Sequence, residues 1–323
     1  MPSIAPRNKG SRPARPAPPG APGTAPVARR EERRGGSSTS SKPAKVWVPP
    51  PKEIVDRRTK ARYTTGDLLG EGGFARVYHA MDERGSKLAV KVVPKTSLKN
   101  HKTKNKLLSE IDIHRSMRHR HIVRFHAVFE DDENVYMILE LCENKSLMDM
   151  LKRRKRMSEP EARYFFWQIL DATRYMHDHR VIHRDLKLGN VFLSREMNVK
   201  IGDFGLAALL EDDEERKKTI CGTPNYIAPE ILFDTEKGHS YEVDAWSLGV
   251  ILFTMMCGRP PFQTKNVKEI YKKIKENVFE FPHDLQVSPD AQSLVRALLC
   301  KVPESRLSTA EIIDHPFFTR GYH

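Results

Sequence analysis

The stretch Val181–Leu193, VIHRDLKLGNVFL, sets one carboxylate, Asp185, between two short apolar runs and returns an amide, Asn190, five residues later. Nine residues beyond Val191 a second unit begins, KIGDFGL, in which Asp203 precedes Phe204 and Gly205. Two acids and an amide on loops between short strands can share one site for a metal-bound nucleotide. Asn190 and Asp203 offer oxygens to the cation, while Asp185 stays open to receive a proton. Each residue alone has a plainer reading: Asp185 and Asn190 as turn formers, Asp203 as a helix cap. The order and spacing of the set argue against that coincidence.

Upstream, LGEGGFARV (Leu69–Val77) places Gly70 and Gly72, then Ala75 where a third glycine would stand, then Val77, between two expected strands. A turn without Cβ atoms lets backbone N–H groups close over anionic oxygens. Such turns are also common in plain hairpins, and no Gly-Lys-Ser/Thr follows to make a Walker loop. LAVKVV (Leu88–Val93) then sets Lys91 amid apolar strand residues. A lysine there reaches solvent at a sheet edge or finds anionic partners, and Glu110 on the following apolar-faced helix is the available carboxylate.

The texture around these residues is two-part. From Tyr63, five β-rich runs, YTTGDLLG, ARVYHAMD, KLAVKVV, IVRFHAVFED and NVYMILELC, read as strands, with one helix, TKNKLLSEIDIHRSM, before the fourth. After Ser146 the pattern turns helical: SEPEARYFFWQILDATRYMHDH opens on Ser158 with Glu161 three residues on, and DAWSLGVILFTMMCG and DAQSLVRALLC keep helical spacing. The expected class is α+β, a small antiparallel β lobe with one main helix followed by a larger, mainly helical lobe.

Composition narrows the setting. Charged residues make up 30% and hydrophobic ones 39% of the 323, with no apolar run long enough to span a bilayer, so no membrane partner is expected. The N-terminus has charge but no apolar core, which does not read as a secretory leader, and an intracellular protein is expected. The four cysteines, Cys142, Cys221, Cys257 and Cys300, form no C-x-x-C pair and read as reduced thiols. The net charge of +13 is concentrated in residues 1–62, where arginines are dispersed among Pro, Gly, Ala and Ser. That segment is expected to be a disordered tail. Only Trp47 interleaves its basic residues, so a base-stacking platform is not expected and a nucleic-acid partner is disfavoured. The histidines of HDHRVIH, His177, His179 and His183, fall across a helix end and a strand start, a spacing that does not suit zinc.

Taken together, GEGGFARV, AVK, Glu110, HRDLKLGN, DFG and Ala228–Glu230 (APE) resemble the signature set of the eukaryotic protein kinases over residues 63–318. Finer features, GGFA, EIDIHRSMRHRHIV, LELCENKSL, MSEPEARYF, ERKKTICGTPNYIAPEIL and FFTRGY, are similar to the polo-like kinases. The resemblance implies a two-lobe protein kinase fold, residues 63–142 forming the first lobe and 143–318 the second. Residues 319–323 close the chain, and the family's polo boxes are expected to be absent.

The resemblance also implies roles. ATP would lie between the lobes, bounded by Leu69, Gly70, Gly72, Val77, Ala89, Leu139 and Phe192, with hinge contacts on the backbone of Glu140 and Cys142. Lys91, paired with Glu110, would hold phosphates; Asn190 and Asp203 would hold Mg2+; Asp185 would orient the substrate hydroxyl, and Lys187 would neutralise the transferring group. Lys187 and Thr223 resemble the serine/threonine class. Thr219, three residues after Arg216, is expected to be phosphorylated by an upstream activating kinase and to pair with Arg184. Where basophilic kinases carry acids this chain has Gly189 and Thr254, and with Lys145 and the run Lys152–Arg156 an acidic preference upstream of the target is expected. That basic run also reads as a nuclear address or a solvated loop. Glu230 with Arg306, Asp244 under the HRD loop, and His183 are expected to be structural. A monomeric kinase domain acting in cytoplasm and nucleus, with the spindle pole as a further place, follows from the family. The alternative is a pseudokinase that binds nucleotide or partners and transfers nothing.

Overall fold

A computed structural model describes residues 47–320. The chain divides into two units, residues 1–48 and 49–323, and every element named below belongs to the second. The disorder expected of the basic tail therefore lies, up to residue 46, outside the described residues.

Among the described residues six strands form one antiparallel sheet: β1 (Glu53–Val55), β2 (Arg62–Glu71), β3 (Arg76–Asp82), β4 (Lys87–Pro94), β5 (Phe125–Glu130) and β6 (Asn134–Glu140), in the order β1-β2-β3-β4-β6-β5. Between β4 and β5 runs α1 (His101–Ser116), started by the Asn100 side chain accepting from the Thr103 N–H at 2.7 Å. Leu107 and Ile111 of this helix pack on Val93, Val135 and Met137 of the sheet. Strands β2 to β6 and α1 are the runs read from the sequence.

β1 is a correction. The sequence reading extended the tail to residue 62, yet Glu53–Val55 pairs with Arg62–Thr64 and buries Ile54. Asp56 fixes the return, accepting from the Arg58 N–H at 2.9 Å and the Thr59 hydroxyl at 2.6 Å. Three residues among prolines and charges carry no periodicity of their own; their order comes from the partner strand.

From residue 147 the chain is mainly helical. α2 (Leu147–Arg154) and α3 (Glu159–Asp178) come first, and the Ser158 N–H and hydroxyl both donate to Glu161, at 3.0 and 2.7 Å, as the S-x-x-E pattern predicts. Four short strands follow: β7 (Val181–Ile182), β8 (Val191–Leu193), β9 (Val199–Ile201) and β10 (Ala208–Leu209). β8 pairs with β9 and β7 with β10, which gathers the loops bearing Asp185, Asn190 and Asp203. Then come α4 (Pro229–Phe233), α5 (Glu242–Cys257), α6 (Val267–Glu276), α7 (Pro289–Leu298), α8 (Thr309–Ile313) and α9 (Pro316–Thr319). α5 is buried from Val243 to Met256 and is the spine of the helical lobe's core. It stops at Gly258, whose φ of 76° and whose distance of 2.5 Å from a would-be Cβ to the Lys155 carbonyl both require glycine. No helix among the described residues is long and apolar enough to cross a membrane.

Candidate active site

Strand register sets the first half of the site. Gly70 lies opposite Val77, Val77 opposite Lys91, and Ala89 opposite Leu139, so the glycine turn, the lysine and a small apolar floor come from neighbouring strands. Leu69 stands exposed beside them. A Cβ on Gly70 would meet nothing within 4 Å, and one on Gly72 only the Ala75 carbonyl at 3.5 Å. Neither glycine has a positive φ. Neither packing nor backbone conformation requires glycine here, and a turn without Cβ atoms is one whose backbone N–H groups an anionic ligand could approach closely.

Lys91 is joined to Glu110 by a short ion pair, and its Nζ lies 3.8 Å from Asp203 Oδ1. Burial pulls the Lys91 ammonium toward neutrality, but the charges of Glu110 and Asp203 outweigh it and its pKa is raised. Asp203 faces the cleft with its side chain 47% exposed. Enclosure pushes that carboxyl up, and Lys91 and His183 more than offset this, so it is lowered and ionised at neutral pH. Phe204 turns inward between His114 and His183, with ring centroids 4.6 and 5.2 Å away.

The Asp185 carboxylate is the hub of the second half. It accepts from the Lys187 ammonium at 2.6 Å, the Thr223 hydroxyl at 2.6 Å and the Asn190 amide at 3.1 Å. Lys187 also donates to Thr223 Oγ1 at 2.9 Å. A carboxylate that already holds a hydroxyl at hydrogen-bond distance is placed to orient another. Asn190 directs its N–H groups at Asp185, which leaves its amide oxygen as an acceptor, and the Gly202 N–H ties the Asn190 carbonyl to the Asp203 loop at 3.0 Å. An amide oxygen beside an ionised carboxylate fits a hard cation such as Mg2+, which keeps waters and shares phosphate oxygens. Among the described residues no group of three or more His, Cys, Asp or Glu gathers into a metal cage of its own.

Beneath the loop, fully buried Asp244 accepts from the His183 and Arg184 N–H groups at 2.8 and 2.9 Å and lies 3.0 Å from His177 Nε2. These bonds hold Arg184 at a φ of 63°, and Asp203 sits at 61°; left-handed non-glycine residues flanking one site are strain kept in place by their surroundings. The Arg184 side chain donates to the Leu206 carbonyl at 2.7 Å, and Thr219 is exposed on the loop between.

At the other edge of the cleft, Glu140 is tied to its surroundings twice over: its side chain binds Lys200 at 2.7 Å and the Arg124 N–H at 3.0 Å, and its own N–H donates to the Arg124 carbonyl at 2.9 Å. Among the described residues the Cys142 N–H has no hydrogen-bond acceptor, and burial pushes the Cys142 thiol up to about 12. Phe192, half-buried on β8, bridges to Ser146. Direct contacts join Lys91 to Glu110 and Asp203, and Asp185 to Lys187 and Asn190, the Gly202–Asn190 bond linking the two groups, while strand register sets Gly70, Val77 and Ala89 near Lys91 and Thr219 lies on the exposed loop. Sequence spacing missed two residues at the site, Thr223 as a partner of Asp185 and Lys200 as the partner of Glu140. Neither has a local signal, since both bonds join residues many positions apart.

Two buried histidines give the fold a pH dependence. Burial lowers His114 to about 4 against its hydrogen bond to the Val123 carbonyl, with Lys91 adding to the fall, and burial with Arg184 lowers His239 to about 4, against Asp244 and Glu242. Both are neutral when folded, whereas an unfolded imidazole titrates near 6.5. Their stabilisation is complete above pH 6.5 and is lost as the pH falls toward 4, each contributing about 3 kcal/mol at most. Urea midpoints are expected to fall across that window, and less steeply for His114→Leu; equal slopes would contradict this origin.

The protein kinase domain family matches residues 63–318. The cell cycle serine/threonine-protein kinase CDC5/MSD2 of Saccharomyces cerevisiae is 53% identical over 268 residues, 83% of this chain and 38% of that protein. Serine/threonine-protein kinase PLK1 of Xenopus laevis is 49% identical over 299 residues, 92% of this chain and 48% of that protein. Serine/threonine-protein kinase polo of Drosophila melanogaster is 46% identical over 279 residues, 86% of this chain and 48% of that protein. The chain spans less than half the length of each of these relatives.

Proposed function

Because the chain belongs to the protein kinase family, in its polo-like group, we propose that it transfers the γ-phosphoryl group of ATP to serine and threonine hydroxyls of proteins. The observation that carries this reading is the meeting of Lys91, Glu110 and Asp203 at one cleft whose other wall presents Asp185, Lys187 and Asn190. A fold that merely bound partners would have no use for that convergence.

The substrate oxygen forms a bond to the γ-phosphorus as the bond from that phosphorus to the β-bridging oxygen breaks, ADP leaving with the electron pair. Asp185 orients the attacking hydroxyl and takes its proton; Lys187 stands beside it to offset charge on the transferring group. Lys91, fixed by Glu110, holds α- and β-phosphate oxygens. Asn190 and Asp203 would hold Mg2+, which when bound supplies charge neutralisation across the phosphates. The open glycine turn covers the phosphates, and Ala89, Leu139, Val77 and Phe192 exclude water from the base.

Substrate choice follows from charge. No carboxylate stands at Gly189, and Thr254 is buried with its hydroxyl bonded to the Val250 carbonyl at 2.6 Å, so neither position attracts an arginine. Lys145 is exposed at a φ of 61° near the cleft mouth. Acids upstream of the target are therefore favoured. Of the basic run Lys152–Arg156, the first three residues close α2 and Arg154 pairs with Glu161 at 2.6 Å, which supports a folded charged surface over an extended nuclear address. A cell-cycle role is proposed from the name of the yeast relative, and action in cytoplasm and nucleus from the resemblance to the polo-like kinases.

Activation by phosphorylation of Thr219 belongs to the same proposal. Arg216, three residues before it, is held by both oxygens of Glu242 at 2.7 and 2.8 Å, so an upstream basophilic kinase would have to open that pair. Thr219→Val is expected to lower activity about 10-fold or more after treatment with such a kinase; unchanged activity ends the idea. The reading as a whole is tested by transfer of radiolabelled phosphate to casein from Mg-ATP, wild type against Asp203→Ala. Absence of transfer by wild type phosphorylated at Thr219 would sink it.

A further inference from the structure

We propose that α6 together with the end of α4 is a docking surface for an acidic segment of the protein substrate, outside the catalytic cleft; this rests on the kinase reading and adds where the substrate is held. α6 reads VKEIYKKIKE and buries Ile270 and Ile274. At about 100° per residue, Lys268, Lys272 and Lys275 fall within a sector of roughly 60° on the side away from those isoleucines. All three are exposed, as is Lys265 just before the helix. Among the described residues only Lys272 of this row has an acid within salt-bridge reach, Glu276 at 3.9 Å. Like charges at i, i+4 and i, i+3 weaken a helix, so the row is no aid to the fold.

The row is bordered by apolar side chains. Phe233, the last residue of α4, is 46% exposed with the Lys275 ammonium 5.5 Å from its ring centroid, and Val267 is 46% exposed at the start of α6. Ammonium groups in line beside an exposed aromatic fit a peptide bearing several Asp or Glu and one large apolar residue. The position makes such a peptide part of a substrate. α4 packs on α6 and follows the activation segment directly, where the Tyr226 N–H bonds the Thr223 carbonyl and the Thr223 hydroxyl bonds Asp185. A chain whose hydroxyl lies at Asp185 can run along that segment to the lysine row, and a second contact on the same molecule raises the local concentration of the target.

The test uses the whole chain, a short acidic casein-type peptide, and the same peptide extended by a flexible linker and a Glu/Asp run with one Phe. For Lys268→Glu/Lys272→Glu the KM of the extended peptide is expected to rise about 10-fold with kcat unchanged, while the short peptide keeps both constants. Phe233→Ala should show a smaller change of the same kind. A fluorescein-labelled copy of the Glu/Asp run without Ser or Thr should bind wild type by anisotropy, weaken with salt, and lose binding to the double variant. Equal effects on both peptides, anisotropy that does not distinguish the variant, displacement by oligo(dT) at lower concentration than by the acidic peptide, or a dimer by light scattering that the double variant breaks would each overturn the proposal. If wild type phosphorylated neither peptide, the kinase reading would fail, and the anisotropy measurement would still decide the docking surface.

Discussion

Replacing Asp203 by alanine is expected to lower the rate of phosphoryl transfer to casein by about 10³-fold or more, because charge placed where the transition state develops it is the main catalytic resource of this chemistry. Asp203 is ionised, half exposed to the cleft and within 3.8 Å of Lys91, so its loss removes a cation ligand and leaves the lysine with one counter-charge in place of two. The substitution carries a side effect. At a φ of 61° alanine is strained by roughly 1–2 kcal/mol, and Asp203→Asn, which tolerates that conformation better, is the control. Both variants should lose activity together while only alanine lowers the thermal midpoint. A kcat within about 10-fold of wild type for Asp203→Asn would remove the carboxylate's charge from the mechanism.

Arg306→Ala is expected to cost about 3–5 kcal/mol of folding stability, the range for stranding one member of a buried ion pair. Arg306 is bound to both oxygens of Glu230 at 2.6 and 2.8 Å, donates to the Cys300 and Glu242 carbonyls at 2.8 and 2.9 Å, and stacks over Trp246 at 5.0 Å. Its side chain is fully buried, so no water replaces what it loses. Removing it leaves the Glu230 carboxylate buried without its cation and frees the anchor by which α4 is held to α5. Urea denaturation measures the loss, and Arg306→Met with Glu230→Leu should recover a large part of it. A single-variant loss under about 1 kcal/mol would mean that the pair is not the anchor.

The catalytic loop was legible because its chemistry is local. Asp185, Lys187 and Asn190 lie within six positions, and Asp203 follows across a hairpin whose strands are themselves apolar runs. β4 and β6 were legible for the same reason, their apolar content standing out against turns. What was hidden depends on pairs distant in the chain. Nothing near Thr223 announces that its hydroxyl closes on Asp185, or near Lys200 that it reaches Glu140; the sheet and hairpin decide both. The left-handed backbone at Arg184 was equally hidden, since arginine has no preference for it and only Asp244, sixty residues on, explains why it persists. Asp244 as a brace and Glu230 with Arg306 were reached through the family resemblance, and the distances bear out those pairings.

The first strand also bears on how the protein is handled. The family match starts at residue 63, and a chain trimmed there would lose Glu53–Val55 together with Arg62 and leave the backbone of Tyr63 and Thr64 without its neighbour. Unsatisfied strand backbone at a margin recruits whatever extended peptide it meets, so the shortened protein would be prone to stick to itself. The ten residues from Glu53 to Arg62 thus serve as a cover for the sheet's margin, although they fall outside the stretch that the family shares.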